Sequence, residues 1–132
     1  MRVGDETVTE PSQQDCIDLA KIFADAPDWL LAPYVDAAAL IEAGLADRNL
    51  IAGRFNDRLL GAALLQRDAP YWRLSHLCVR QITRRRGVGK RILEESLRLA
   101  NEAGKDLHLA APPEQLEPQA LAARAHLPLD PI

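Results

Sequence analysis

The chain has 132 residues, 48% of them hydrophobic and 27% charged, the size and composition of one globular domain over residues 1–132 with little room for a second. Its formal net charge of −3 excludes a protein built as a whole to coat nucleic acid. No stretch approaches the roughly 18 continuous apolar residues of a membrane helix.

Residues 1–6 carry no apolar signal core. Cys16 and Cys78, far apart and in no C-x-x-C pair, read as reduced, buried thiols. Both features point to the cytoplasm. In chain order, a short strand is predicted over residues 6–9. Pro11 and Ser12 open a helix, with Ser12 as N-cap and Asp15 three residues on, a capping-box pattern. Cys16, Ala20 and Phe23, flanked by Ile17 and Leu19, supply its apolar face, and Pro27 ends it. Residues 28–34 read as a loop carrying Trp29. Residues 35–43 are alanine-rich and helical, with Gly44 placed to stop them.

An antiparallel meander follows. Strands are expected over 50–55 and 58–66, joined by the turn pair Asn56-Asp57, and a third over 71–79 after a turn at 67–70. The period then changes. Val88, Ile92, Leu93, Leu97, Ala100 and Ala103 recur at helical spacing, Glu94 and Arg98 make an i,i+4 pair, and Gly104 closes the helix. Residues 105–110 form a strand that returns parallel to 71–79 through a right-handed crossover. Pro112-Pro113 breaks it, a last helix covers 115–125, and the remaining residues are short and proline-broken. The class is α/β (α+β mixed sheet), an antiparallel meander followed by a βαβ crossover.

The informative segment runs from Leu77-Cys78-Val79 through Thr83-Arg84-Arg85-Arg86-Gly87-Val88-Gly89-Lys90. A strand leads through a basic, glycine-containing turn into an amphipathic helix. The first turn of a helix has N–H groups without intrahelical acceptors, and the macrodipole makes it positive. Gly87 and Gly89 let a ligand approach the backbone without a Cβ in the way. Arginines beside a helix N-terminus are unfavourable unless an anion is expected there. The turn therefore reads as a cradle for phosphate or pyrophosphate. It is neither a P-loop, since the GKS/GKT ending is missing, nor a full G-x-G-x-x-G dinucleotide fingerprint. Simple helix capping and tight packing is the plainer reading of two glycines at a helix start.

Arg84-x-x-Gly87-x-Gly89 resembles the Q/R-x-x-G-x-G/A motif of the GNAT N-acetyltransferases, and the order of elements resembles theirs from about Glu6 to Leu127. That likeness implies a GNAT acyl-CoA N-acyltransferase fold, here with a truncated C-terminal end. It implies acetyl-CoA or CoA as ligand, with the diphosphate on the amides from Arg85 to Lys90. Leu77, Cys78 and Val79 would line the pantetheine arm, which enters a splay between that strand and residues 107–110. A narrower resemblance rests on Asp15-Cys16-Ile17-Asp18-Leu19-Ala20-Lys21-Ile22, Arg54-Phe55-Asn56-Asp57-Arg58-Leu59-Leu60, Val79-Arg80, Thr83-Arg84-Arg85-Arg86-Gly87-Val88-Gly89 and Leu93-Glu94-Glu95. It is to the family of aspartate α-decarboxylase maturation factors, GNAT-fold acetyl-CoA sensors of pantothenate biosynthesis. That likeness implies a protein partner, aspartate α-decarboxylase, and makes Arg54, Asn56, Arg84 and Arg85 candidate partner contacts.

Direct acetyl transfer needs a base for the amine and often an acid for the leaving thiolate. The central strand offers His76, whose ordinary pKa near 6.5 suits a base, although a lone histidine on a strand is more often structural. No tyrosine follows Tyr71, so the acid usual on the last helix of GNAT enzymes is missing. No Ser/His/Asp set and no metal-ligand spacing is visible. Trp29 and Trp72 read as packing aromatics and Cys78 as a small filler. A regulatory acetyl-CoA-binding module is therefore set against an N-acetyltransferase acting on an amine. Nucleic-acid binding by the basic stretch 80–91 is disfavoured by overall acidity and the lack of a stacking platform.

Overall fold

The computed structural model describes residues 3–67, 70–81 and 87–132. Eleven elements follow along these residues: β1 (Val3–Thr7), α1 (Gln13–Ala24), α2 (Asp28–Leu31), α3 (Ala37–Ala46), β2 (Leu50–Phe55), β3 (Arg58–Gln66), β4 (Trp72–Val79), α4 (Val88–Glu102), β5 (Leu107–Ala111), α5 (Leu116–Ala125) and β6 (Leu129–Pro131). The strands form one sheet in the order β1-β2-β3-β4-β5-β6. β1 to β4 are antiparallel neighbours, while β4–β5 and β5–β6 are parallel.

The strand alternation divides the core between the two faces of the sheet. Leu50, Ala52, Ala62, Leu64 and Cys78 meet Leu19, Ile22 and Phe23 of α1 and Leu40 of α3. Ile51, Ala63, Leu65 and Leu74 meet Val88, Ile92 and Leu93 of α4, together with Leu107, Leu109 and Ala122. Leu19, Ile22 and Phe23 are all but inaccessible, and each contributes about 1.5–3 kcal/mol by leaving water.

The capping box of α1 forms in both directions: Asp15 N–H donates to Ser12 Oγ at 3.0 Å and Ser12 N–H donates to Asp15 Oδ2 at 3.2 Å. The buried stripe of α1 differs from the expected one. It runs through Asp15, Asp18, Leu19, Ile22 and Phe23, so Cys16 is exposed rather than buried, and Ile17 is 43% exposed. The helix turns two carboxylates inward because the β2–β3 hairpin supplies their partners. Arg54 donates through both terminal nitrogens to Asp15 at 3.0 Å. Arg58 donates to Asp18 at 2.6 Å, and the same carboxylate accepts the Leu59 N–H at 3.1 Å.

Other boundaries move for local reasons. Residues 28–31, expected as loop, make one helical turn with Pro27 at its N-cap. Asp36 caps α3 by accepting the Ala39 N–H at 2.8 Å, and the helix runs past Gly44 to Ala46. Gly44 is a packing glycine, since a Cβ there would lie 2.8 Å from Leu64 Cδ2. Asn56 and Asp57 turn with φ of 48° and 67°, the left-handed pair of a two-residue hairpin. The 67–70 turn lies partly outside the described residues. On α4, Arg98 pairs with Glu95 and Glu102 instead of Glu94, which faces Lys90 at 3.9 Å. The final residues, expected to be irregular, add β6 to the sheet edge. Asp130 anchors it, accepting from Arg73 of β4 and bonding His108 of β5, each at 3.0 Å.

Candidate functional site

β4 and β5 run side by side only from Trp72 to Ser75, paired with Leu107 to Ala110. The cause sits on the other edge of β4. Across from β3, Ala62 opposes Cys78 while Leu64 opposes Ser75. His76 and Leu77 therefore face the single residue Ala63, an arrangement that defines a β-bulge and bends the bulged strand. His76 absorbs the bend with φ 56°, in the left-handed region that histidine tolerates better than most residues. Beyond the bulge β4 keeps its β3 partner and leaves β5.

The gap is a cleft of about 1090 Å³. Leu77, Cys78 and Val79 form its β4 wall, and Gly87, Gly89 and Lys90 stand at the start of α4. Leu121 and Arg124 of α5 close another side. Residues of the 27–34 segment, Trp29 and Ala32 among them, reach it from the α1 side of the sheet. Trp29, read from sequence as a packing residue, is thus a cleft-wall aromatic, while Trp72 packs on the α4 core as expected.

At the start of α4, Gly87 is the N-cap with φ 77° and supplies no side-chain cap. The first intrahelical bond is Arg91 N–H to Gly87 O at 3.0 Å. The amides of Val88, Gly89 and Lys90 precede it, so they have no acceptor within the helix. Among the described residues, a Cβ on Gly87 would meet nothing within 4 Å. Thr83, Arg84, Arg85 and Arg86 lie outside the described residues. The flanking strand exit is fixed: Asp25, the C-cap of α1, accepts from Arg80 Nε at 3.2 Å and from the Gln81 N–H at 3.0 Å.

The helix mouth is keyed to the hairpin by close packing. Cβ positions on Gly61 and Gly53 would lie 2.8 Å and 3.2 Å from Val88 Cγ1. Only glycine lets the first turn of α4 sit this near β2 and β3. Asp5, Arg54, Phe55 and Arg91 surround the same junction.

Arg54 occupies a committed position. Besides Asp15, it donates to Glu6 at 2.6 Å and to the Asp57 carbonyl at 3.1 Å. These carboxylates, that of Asp15 first, raise its pKa despite partial burial, and Arg54 in turn holds the Asp15 carboxyl below its ordinary range. Burial pushes the Asp18 carboxyl upward, but the donors Arg58, Gln14 and Leu59 N–H together outweigh it and leave its pKa lowered.

His76 is 8% exposed. Its Nε2 lies 2.8 Å from Ala32 O and its Nδ1 2.8 Å from Ser75 Oγ. A carbonyl only accepts, so Nε2 carries the proton and Nδ1 takes the serine hydroxyl. Burial holds the imidazole below its ordinary pKa, opposed in part by the Ala32 bond. The Tyr34 ring stands edge-on at 5.5 Å. Cys78 is buried with its thiol donating to Ile22 O at 3.3 Å. Among the described residues no cluster of His, Cys, Asp and Glu could hold a metal ion.

An antiparallel meander, a bulge that splays β4 from a parallel β5, and a helix mouth at the end of the cleft together define the GNAT fold. Residues 2–129 match the family described as acetyltransferase (GNAT) domain, PanZ, and the chain belongs to that family. The PanD regulatory factor of Salmonella typhimurium is 40% identical over 87 residues, 66% of this chain and 60% of that protein. The PanD regulatory factor of Escherichia coli K12 is 38% identical over the same shares. The chain thus spans about 60% of the length of the curated relatives it matches. Among solved structures, the PaiA N-acetyltransferase of Thermoplasma acidophilum in complex with coenzyme A aligns with a TM-score of 0.71 over 95% of this chain and 89% of that one. At 13% identity the likeness concerns the fold.

Sequence reasoning missed the bulge, Ser75, and the wall built by residues 27–34. A histidine inside an apolar strand was the only local signal of the bulge.

Proposed function

We propose that this chain, as a single GNAT-like domain, binds acetyl-CoA in the splayed cleft and in that state engages aspartate α-decarboxylase and promotes its maturation. The cleft fits the ligand's parts. Amides at positions 88–90 suit a diphosphate, the β4 edge at Leu77, Cys78 and Val79, beyond its pairing with β5, suits an amide-bearing arm, and the bulge marks where the acyl end stops. Thr83, Arg84, Arg85 and Arg86 belong to this reading as cradle residues, with Arg84 and Arg85 also candidates for contact with the partner. A cytoplasmic setting accords with two cysteines in no disulfide, and among the described residues no helix is long and apolar enough to cross a membrane.

The observation that carries the regulatory reading is the contact of Gly53 and Gly61 with Val88. It couples the helix mouth, where ligand charge would sit, to the hairpin bearing Arg54 and Asn56. Arg54 stiffens the hairpin through its carboxylate partners and Asn56 presents the turn. The alternative, N-acetyl transfer to an amine, asks His76 for a free lone pair, and the lone pair on Nδ1 already faces Ser75 Oγ.

The test is co-purification with aspartate α-decarboxylase zymogen, with and without acetyl-CoA. The reading expects a complex strengthened by acetyl-CoA and faster self-cleavage of the zymogen. No complex in either state, beside intact acetyl-CoA binding, would remove the partner and leave the ligand.

A further inference from the structure

Ser75 and His76 are adjacent on β4, at the last residue paired with β5 and the first of the bulge. Successive strand residues ordinarily point to opposite faces. The left-handed φ of 56° at His76 cancels that alternation and brings its ring back to Ser75, with Nδ1 2.8 Å from Oγ. The far nitrogen is held by Ala32 O at 2.8 Å. This is a hydroxyl, a neutral imidazole accepting its proton, and a fixed acceptor orienting the imidazole, the three parts of an activated nucleophile at the expected spacing. A backbone carbonyl stands where a carboxylate is more usual. Both residues line the cleft at the point where β5 departs, while solvent reaches only 4% of Ser75 and 8% of His76. A buried serine used only for packing needs one partner, and its own backbone could supply it. Here the hydroxyl is aimed at the only lone pair of a ring locked from behind.

We propose that Ser75 is an acyl acceptor, with His76 as its base, toward an acyl thioester or activated ester entering the cleft. As the bond from Ser75 Oγ to the acyl carbonyl carbon forms, the hydroxyl proton passes to His76 Nδ1. The bond from that carbon to sulfur then breaks, and the departing thiolate takes the proton from Nδ1 and leaves as thiol. The Nε2–H keeps its bond to Ala32 O throughout. Water, activated by the same nitrogen, later releases the carboxylic acid and restores the serine.

That acetyl-CoA is the natural donor rests on the reading of the cleft given above, so the test uses two donors. The full chain is incubated with p-nitrophenyl acetate and, separately, with acetyl-CoA. Peptides containing residue 75 are weighed, nitrophenol or thiol release is followed, and acetyl-CoA binding is measured by calorimetry. The expected result is one acetyl group on Ser75 from either donor, none on Ser75→Ala, and labelling at least about a hundredfold slower in His76→Asn, which tolerates the left-handed backbone. Ser75→Cys should label without loss of fold and guards against a destabilised alanine variant. Labelling by the nitrophenyl ester without acetyl-CoA binding would keep the nucleophile and remove the CoA reading. Binding of acetyl-CoA with Ser75 unlabelled by both donors would overturn the nucleophile and keep the CoA reading. Labelling at an unchanged rate in His76→Asn would overturn the role of the base.

Discussion

Replacing Gly61 by alanine tests how the hairpin and the helix mouth are joined. The new Cβ would stand 2.8 Å from Val88 Cγ1 and 3.2 Å from both Ile92 Cδ1 and Val79 Cγ2, against about 3.5–4.0 Å for relaxed carbon contacts. Val88 opens α4, and a valine there has essentially one χ1 rotamer, so its methyl cannot swing aside. The first turn of α4 has to lift by roughly 1 Å. Overpacking of this kind costs about 1–3 kcal/mol, and the lower entropy of the unfolded alanine chain returns about 0.4–1 kcal/mol. Urea denaturation should therefore show Gly61→Ala destabilised by about 1–2 kcal/mol. The lift also moves the amides of Val88, Gly89 and Lys90. Loss of one hydrogen bond to a charged group, about 1.5–3 kcal/mol, weakens acetyl-CoA binding about tenfold to a hundredfold. The double variant Gly61→Ala, Val88→Ala removes the clashing methyl and should recover binding, with a coupling energy above about 0.5 kcal/mol in the double-mutant cycle. A single variant as stable as the parent, or a cycle without coupling, would refute the claim that this contact sets the position of the helix mouth.

Gly87→Glu should abolish the stabilisation by acetyl-CoA in thermal melts, which for the parent at a hundred times its dissociation constant is about 2.7 kcal/mol; an unchanged shift would place the ligand elsewhere. Asp18→Ala strands the buried Leu59 N–H and should cost about 1–3 kcal/mol in urea denaturation, with an effect below about 0.5 kcal/mol counting against the clamp. Stability should also fall on acidification in two windows. His76 has its folded pKa below the unfolded 6.5, so below that pH the unfolded chain binds the extra proton and stability drops by up to about 1.4 kcal/mol per pH unit. Asp15 and Asp18 have folded pKa values below 3.8, so their contribution is complete above that pH and is lost as pH falls through the folded values. Denaturation curves in a pH series check both windows, and His76→Asn should flatten the upper one alone.

The meander, the crossover helix and the parallel return strand were legible because their signals are local. Alternating apolar residues, the Asn56-Asp57 turn and the 3.6-residue period of α4 each act within a few positions. The capping box at Ser12 and Asp15 was legible for the same reason. The inward face of α1 was not, since Asp15 and Asp18 are buried only because Arg54 and Arg58 arrive from a hairpin about forty positions later. Gly44 looked like a helix stop, and only the nearness of Leu64 shows it as a packing residue. β6 is three residues long and is held by its pairing with β5 and by the bonds of Asp130 to Arg73 and His108, long-range contacts with no local sequence signature. At the site, the glycines at the helix mouth were legible from chemistry alone, whereas the pairing of Ser75 with His76 depends on a backbone bend that alternation argues against.

The central claim, that a diphosphate is gripped by the main chain at the mouth of α4, is tested most directly by following the backbone amide resonances of the 15N-labelled chain during titration with acetyl-CoA. The account predicts that the amides of Val88, Gly89 and Lys90 shift most, together with those of Leu77 to Val79 along the open edge of β4. Resonances at these positions that stay fixed at millimolar acetyl-CoA, or that move less than those on a distant face of the sheet, would contradict it.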